Sequence, residues 1–160
     1  MMKIGSNAPD LSINATGADS GEKTISIKDF KGQFLVLYFY PKDNTPGCTR
    51  EGQDFRDLYP QFQSTNCAIL GVSRDSVRVH ENFRKKHEFP FDLLSDADEK
   101  LCHAFGVIRE KKLYGRTYMG IVRSTFLIGP DGKLLEIWDK VKVKEHAQDV
   151  LSTLLNNHIS

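Results

Sequence analysis

The sequence predicts an α/β domain in which helices cover both faces of a central, mostly parallel sheet. Two observations lead to this prediction. Short, continuous apolar runs recur along the chain, and amphipathic stretches with helical spacing separate them. Strands that alternate with helices of about 10 to 14 residues are typical of βαβ units, whose crossover helices pack on both faces of a parallel sheet. A final hairpin adds an antiparallel element near the C-terminus.

Three apolar runs are the predicted core strands. The first, residues 33–40, is continuous and rich in aromatic side chains, which suits a strand that is buried on both faces. The second and third are residues 67–73 and 125–128. The third leads into the sequence GPDG, residues 129–132, where proline presets φ and glycine accepts a positive φ. Residues 133–141 are therefore predicted to return as the second strand of a hairpin.

Four stretches have the helical spacing of apolar side chains that a sheet-covering helix needs. They are residues 49–62, 75–87, 96–105 and 144–155. Ser73 or Asp75 is the predicted N-cap of the second helix, and Asp96 that of the third. The small and polar residues 14–23 are predicted to form an exposed turn.

Length and charge limit what the chain can be. Its 160 residues suit a single domain, predicted to span residues 1–160. The net charge of +1 argues against nucleic acid or an anionic membrane as a partner. The longest strongly apolar stretch, residues 34–40, is much shorter than the roughly 20 residues that span a bilayer, and the first residues lack the apolar segment of a secretory signal. We therefore expect a cytoplasmic protein.

The three cysteines, Cys48, Cys67 and Cys102, are too few for the disulfide framework of a secreted protein. In a reducing compartment, sparse cysteines are either buried apolar side chains or reactive thiols. The five histidines show no metal-ligand spacing, so we expect no metal site.

Cys48 stands in the segment PKDNTPGCT, residues 41–49, where the first predicted strand ends and a helix begins. Ligands of α/β sheets bind beyond the carboxyl ends of the strands. The free N–H groups and the positive dipole end of a helix favour a thiolate over a thiol. Thr45, three residues earlier, is near enough for its hydroxyl to share the pocket, while Pro41 and Pro46 stiffen the loop. We therefore expect Cys48 to be a nucleophile.

This segment resembles the active-site motif of peroxiredoxins, and the longer string FYPKDNTPGCTRE is similar to their bacterioferritin comigratory protein branch, also called PrxQ. The resemblance continues at LGVS (residues 70–73), DLLSD (92–96) and RSTFLI (123–128), in the expected order. It implies a thioredoxin-like fold and an antioxidant enzyme of cell redox homeostasis. Such an enzyme reduces hydrogen peroxide and organic hydroperoxides through a cysteine, without a metal, flavin or haem cofactor.

The resemblance also implies a role for each residue of the motif. The catalytic and substrate-binding residues would be Cys48, Thr45, Arg123, Pro41 and Gly47. Cys48 would attack the peroxide and become a sulfenic acid. Thr45 would hydrogen-bond the peroxide, Arg123 would hold the thiolate and polarise the O–O bond, and Pro41 would close the pocket. The supporting residue Glu51, one turn after the nucleophile, would orient the arginine.

The chain departs from this branch at the resolving cysteine, the thiol that condenses with the sulfenic acid. Many members carry it five residues after the nucleophile, where this chain has Gln53. Others carry it on the next helix, where we expect the matching position near Arg84 and find no cysteine in residues 75–87. We therefore favour a monomeric, one-cysteine enzyme that is reduced by an outside thiol, either thioredoxin, glutaredoxin or a small thiol.

The sequence also allows other interpretations of the resolving step and of the function. Cys67 or Cys102 could resolve the sulfenic acid after local unfolding, a bridge could form between two chains, or the protein could sense peroxide without high turnover. A thioredoxin-type disulfide oxidoreductase would need a C-x-x-C motif, but Thr45 and Glu51 stand where its second sulfur belongs. A cysteine hydrolase would need a base near Cys48; the motif gives no support for one, but folding could bring a histidine there, so the sequence does not exclude this class.

Overall fold

The computed structural model describes residues 2–18 and 21–159. The strands are β1 (Ser12–Ala18), β2 (Gly21–Ser26), β3 (Phe34–Phe39), β4 (Cys67–Ser73), β5 (Asp92–Ser95), β6 (Ile108–Leu113), β7 (Arg116–Ile121), β8 (Ser124–Ile128) and β9 (Leu134–Trp138). The helices are α1 (Pro46–Ser64), α2 (Val77–Lys86), α3 (Lys100–Ala104) and α4 (His146–Ile159). A 3₁₀ turn, Ile27–Phe30, precedes β3.

The main sheet has seven strands in the order β2-β1-β5-β4-β3-β8-β9. Its central strands β3, β4 and β5 are parallel, as predicted, because α1 and α2 provide the crossovers between them. The flanking strands are antiparallel on both sides, including β8 against β3. The chain enters β8 from β7, beside the carboxyl end of β3, so β8 runs back along β3. The predicted hairpin is confirmed as β8 and β9.

The alternation of β3 explains why its sequence is apolar throughout. Leu35, Leu37 and Phe39 face a core shared with α3 and with β1 and β2. The alternate residues of this segment, beginning with Val36, face a second core shared with α1, α2 and α4. Helices therefore cover both faces of the sheet, as the sequence predicts.

Two predicted helix starts differ from the structure in their details. Ser76 is the N-cap of α2 and accepts a hydrogen bond from the N–H of Val79, whereas Ser73 and Asp75 bond to each other at 2.5 Å. The helix α3 has only five residues and begins later than predicted. Asp96 still serves its start, because its carboxylate accepts hydrogen bonds from two backbone N–H groups of that helix.

Three β elements escape prediction from sequence. The first is the buried central strand β5, whose four residues are too few to show an apolar run. Residues 14–18 and 21–23, predicted to be a turn, belong to β1 and β2, and residues 19–20 of that segment lie outside the described part of the chain. Strands β6 and β7 form a separate two-stranded ribbon. Most of the side chains in this ribbon are polar or exposed, so it lacks the apolar pattern by which the core strands were found.

Among the described residues, no helix combines the length and the apolar character that crossing a membrane requires.

Candidate active site

The pairing of β3 with β8 creates the site. Because these strands are antiparallel, Phe39 at the end of β3 pairs with Ser124 at the start of β8. Cys48 lies in the first turn of α1, which follows β3, and Arg123 immediately precedes β8. Nη2 of Arg123 lies 3.4 Å from Sγ of Cys48 and donates a hydrogen bond to it. Two residues 75 positions apart in sequence thus meet at the carboxyl end of β3.

The same guanidinium is anchored by Glu51. Nη1 of Arg123 donates to Oε1 of Glu51 at 2.6 Å, so the structure brings together the two residues that the resemblance pairs. Glu51 is 1% exposed, and its Oε2 has no hydrogen-bond partner within the part of the chain that the structure describes. Burial raises the pKa of Glu51 from 4.5 to about 7, although Arg123 acts to lower it. Burial also lowers the pKa of Arg123, but the charges of Glu51 and Cys48 outweigh it and raise this pKa overall.

Cys48 is enclosed and lies at a helix start. Cys48 is 2% exposed. Thr45 is the N-cap of α1 and Pro46 is its first residue, and the side chain of Thr45 makes no capping hydrogen bond to the N–H groups of the first turn. These N–H groups and the helix dipole favour negative charge at this position. The geometry thus provides both a cation and a helix start for a thiolate on Cys48.

The hydroxyl of Thr45 has a definite hydrogen-bonding direction. Its Oγ1 donates to the carbonyl oxygen of Lys42 at 2.8 Å. Because its own proton is used in this way, the hydroxyl is left to accept a hydrogen bond from an O–H group in the pocket. Thr45 therefore suits a ligand that carries a proton, as a hydroperoxide does.

Gly47 and Pro41 have steric roles in the loop. A Cβ atom at Gly47 would lie 3.1 Å from Nη2 of Arg123, so glycine leaves room for the guanidinium beside the sulfur. Pro41 is half-buried and begins the loop directly after the buried segment that ends at Tyr40. Proline thus restricts the backbone at the start of the loop, and at its end there is little space between Gly47 and the guanidinium of Arg123.

Lys111 of β6 is a second cation near the site that the sequence did not reveal. Its Nζ donates to the carbonyl oxygen of Ile121 at 2.9 Å. Burial and the charge of Arg123 lower the pKa of Lys111, while Cys48 acts to raise it. No motif marks this lysine, because only the register of the β6–β7 ribbon brings it near Cys48.

The structure separates the other two cysteines from Cys48. Cys67 pairs with Phe34 at the start of β3, whereas Cys48 lies beyond the end of that strand. The five steps from Phe34 to Phe39 alone span about 17 Å. Cys102 belongs to the core on the opposite face of the sheet from Cys48. All three thiols are free and buried.

The chemical environments of these two thiols differ from that of Cys48. Burial raises the pKa of Cys67 to about 12. Burial and the carboxylate of Asp96 raise the pKa of Cys102 further still. Neither thiol has a cation in hydrogen-bonding contact comparable with that between Arg123 and Cys48, among the contacts of the described residues. The structure therefore presents Cys67 and Cys102 as buried, protonated side chains.

A thioredoxin-like α/β fold with a buried cysteine and an arginine at the carboxyl end of its central strands defines a class of thiol peroxidases. Residues 4–137 match the AhpC/TSA family, and the chain belongs to it. Within that family it is a peroxiredoxin of the bacterioferritin comigratory protein branch, whose members are thiol-dependent peroxidases.

Sequence relatives cover nearly the whole chain. The peroxiredoxin Bcp of Bacillus subtilis is 50% identical over 153 residues, which is 96% of this chain and 95% of the relative. The peroxiredoxin Bcp of Xanthomonas campestris is 53% identical over 135 residues, or 84% of each chain.

Solved structures show the same fold. The bacterioferritin comigratory protein of Xanthomonas campestris, for which alkyl peroxide reduction activity is described, has a TM-score of 0.86 at 49% identity and covers 92% of each chain. A cysteine-to-serine variant of PrxQ from Xylella fastidiosa has a TM-score of 0.91 at 45% identity, covering 100% of this chain and 99% of its own.

Proposed function

We propose that this peroxidase reduces hydrogen peroxide and organic hydroperoxides with Cys48 as the attacking thiolate. The observation that carries the proposal is the contact of 3.4 Å between Nη2 of Arg123 and Sγ of the buried Cys48, at the start of α1. The alkyl peroxide reduction described for the Xanthomonas campestris relative supports organic hydroperoxides as substrates.

The first half of the reaction is a nucleophilic substitution at oxygen. The Cys48 thiolate forms a bond to the terminal oxygen of the hydroperoxide while the O–O bond breaks. The products are a sulfenic acid on Cys48 and an alkoxide or hydroxide, which takes up a proton and leaves as alcohol or water. Arg123 stabilises the charge that moves from sulfur to the leaving oxygen. Thr45 accepts a hydrogen bond from the O–H of the peroxide and so selects the protonated oxygen for attack.

Glu51 and Gly47 support this step without contacting the reacting atoms. Glu51 anchors Nη1 of Arg123, so that Nη2 stays directed at the sulfur. Gly47 leaves the space that the guanidinium occupies. Pro41 fixes the start of the loop and limits access of water to Cys48.

The second half of the reaction uses an outside thiol. One thiol displaces water from the sulfenic acid to give a mixed disulfide, and a second thiol releases Cys48 and leaves as the disulfide. Three observations support this one-cysteine cycle. Gln53 stands five residues after Cys48 and residues 75–87, around Arg84, contain no cysteine, while Cys67 lies at the far end of β3 and Cys102 lies across the sheet.

We further propose a monomer that acts in a reducing compartment, the cytoplasm, where thioredoxin, glutaredoxin or a small thiol is the reductant. Three free cysteines, none of them in a disulfide, suit such a compartment.

The test is turnover of hydrogen peroxide and of an alkyl hydroperoxide with dithiothreitol as the reductant. Cys48→Ser should abolish turnover, because a serine hydroxyl is hardly ionised at neutral pH. The matched control is Cys67→Ser, which should retain most of the activity. Cys67 is a buried cysteine in the same core as Cys48. Substantial turnover by the Cys48→Ser protein would refute Cys48 as the nucleophile.

A further inference from the structure

A buried network of polar side chains lies beneath the loop that leads to Cys48. The hydroxyl of Tyr40 donates to Oδ1 of Asp43 at 2.6 Å, and Oδ2 of Asp43 lies 2.6 Å from Nδ1 of His80. The other ring nitrogen of His80, Nε2, lies 2.9 Å from the carbonyl oxygen of Leu94. Tyr40 and His80 are fully buried, and Asp43 is 3% exposed. None of these residues has a role in the reaction described above.

The protons of this network follow from its geometry. The carbonyl oxygen of Leu94 can only accept a hydrogen bond, so Nε2 of His80 carries a proton and donates it. Nδ1 then shares one proton with Asp43, whether the pair is written as imidazolium and carboxylate or as imidazole and carboxylic acid. Every side-chain polar atom of Asp43 and His80 thus has a partner.

The network joins the loop to three neighbouring parts of the fold. Tyr40 follows β3, His80 lies on α2 and Leu94 lies on β5. The backbone N–H of Asp43 is also held, since it donates to Oδ2 of Asp75 at 2.9 Å. Both the side chain and the backbone of Asp43 are therefore fixed.

The residues directly after Asp43 lead into the catalytic turn. Asn44 adopts a left-handed conformation with φ of 63°, and Thr45 then begins α1 as its N-cap. A shift of Asp43 would move Thr45 and the free N–H groups around Cys48. The position of the first turn thus depends on the network under the loop.

Two other roles for this cluster fit the contacts less well. Asp43, Asp75 and His80 offer potential metal-ligand atoms within 4.8 Å of one another, but these atoms already take part in the hydrogen bonds just described. Stability alone is a weak reason for the network, because apolar residues of similar volume often replace a buried ion pair at no cost in stability. Fixing one conformation of the loop needs the specific directions that hydrogen bonds provide.

We propose that Tyr40, Asp43 and His80 are positioning residues of the peroxide site. They hold residues 41–46 so that Oγ1 of Thr45 and the N–H groups of the first turn of α1 surround Sγ of Cys48. The inference rests on the proposed role of Cys48 and adds to it the residues that set its surroundings. Displacement of a reacting group by about 1 Å can cost about a hundredfold in rate, so a loosened loop should slow the attack on peroxide.

Three variants test the network in graded steps. Asp43→Asn keeps the shape of the side chain but removes its charge, His80→Asn keeps one amide donor near Nδ1, and Tyr40→Phe removes a single hydroxyl. The matched control is Thr65→Val. Thr65 is buried and its hydroxyl donates to the carbonyl oxygen of Gln61 at 2.8 Å, at the opposite end of α1 from Cys48.

The measurements are the second-order rate constant of the reduced protein with hydrogen peroxide and the rate of alkylation of Cys48 by iodoacetamide at pH 7. Circular dichroism at the assay temperature gives the folded fraction. Asp43→Asn and His80→Asn should lower the peroxide rate constant by about tenfold or more, while the folded fraction stays at the wild-type level. Tyr40→Phe should show a smaller loss in the same direction, and Thr65→Val should show none.

The outcomes separate this inference from the proposed function. Wild-type rates in the folded network variants, or losses no larger than that of Thr65→Val, would overturn the positioning role while leaving Cys48 as the nucleophile. If Asp43→Asn and His80→Asn do not fold, Tyr40→Phe decides, because it removes one hydroxyl and keeps the ring in place. Failure of the wild-type protein to consume peroxide would instead refute the proposed function itself.

Discussion

Arg123 joins Cys48 to Glu51 through one guanidinium group, with Nη2 at 3.4 Å from the sulfur and Nη1 at 2.6 Å from the carboxylate. Cys48 and Glu51 lie one turn apart at the start of α1. The arginine approaches from the neighbouring strand β8, but its carboxylate anchor belongs to the same helix as the nucleophile. The distance between cation and sulfur is thereby tied to that helix.

Arg123→Lys should slow the reaction with peroxide although it keeps the charge. A lysine ammonium is a compact cation on a flexible stem and lacks the planar fork that bonds two partners at once. A hydrogen bond to a charged group contributes about 1.5–3 kcal/mol, so the second-order rate constant should fall about tenfold to a hundredfold. Stopped-flow measurement with hydrogen peroxide checks this. An unchanged rate in a folded variant would mean that Arg123 has only a structural role.

Glu51→Gln should change how stability depends on pH. The carboxyl group ionises near 4.5 in the unfolded chain but keeps its proton to about pH 7 in the folded one, because burial raises its pKa. The folded state therefore binds more protons in this window, and the free energy of unfolding falls as pH rises from 4.5 to 7. For a pKa shift of this size, the free energy of unfolding falls by about 3 kcal/mol between these pH values. The Glu51→Gln protein should not show this fall.

Urea denaturation of both proteins at several pH values measures this difference. The comparison has to be made against wild type, because the titration of His146 changes the free energy of unfolding with pH in the opposite direction. Burial lowers the pKa of His146 from 6.5 to about 4, so its contribution to stability is lost as pH falls through that range. This effect is common to both proteins and cancels in their difference. Parallel stability curves for wild type and Glu51→Gln would contradict the raised pKa of Glu51.

The double variant Cys67→Ser, Cys102→Ser should keep most of the peroxidase activity with dithiothreitol or a redoxin as the donor. Cys67 lies at the opposite end of β3 from Cys48, and Cys102 lies on the other face of the sheet. A disulfide requires Cα atoms within about 7 Å, so either thiol could reach Cys48 only after the core opens. If serine destabilises the core, the corresponding alanine variants serve the same purpose. Loss of turnover in folded variants would favour a distant resolving cysteine.

Local sequence patterns predicted β3, β4, β8, β9 and the helices of this chain, but they did not predict the short core strand β5 or the strands with many exposed side chains. The apolar residues of β3 and β4 mark them as buried strands, and α1 was found from its helical spacing. The ribbon of β6 and β7 was missed because exposed strands carry no apolar pattern. The residues of the site also differ in how far local sequence patterns reveal them. Cys48 stands out by its loop, whereas Arg123 was identified only through the family motif.

The network beneath the loop could not be predicted from sequence. Asp43 and His80 are 37 residues apart, and no spacing rule connects them. Their contact depends on how α2 packs beside the parallel strands. Separating Cys48 from Cys102 likewise required the sheet itself, since the sequence does not show which face each cysteine occupies.

Peptide mapping by mass spectrometry, after one equivalent of hydrogen peroxide and a reagent that traps sulfenic acids, shows which cysteine reacts with the peroxide. We expect Cys48 to carry the trapped sulfenic acid, while Cys67 and Cys102 are recovered as free thiols and the protein stays monomeric. A disulfide between Cys48 and Cys67, or between Cys48 and Cys102, would contradict the one-cysteine cycle. An unmodified Cys48 beside an oxidised Cys67 or Cys102 would contradict its role as the nucleophile.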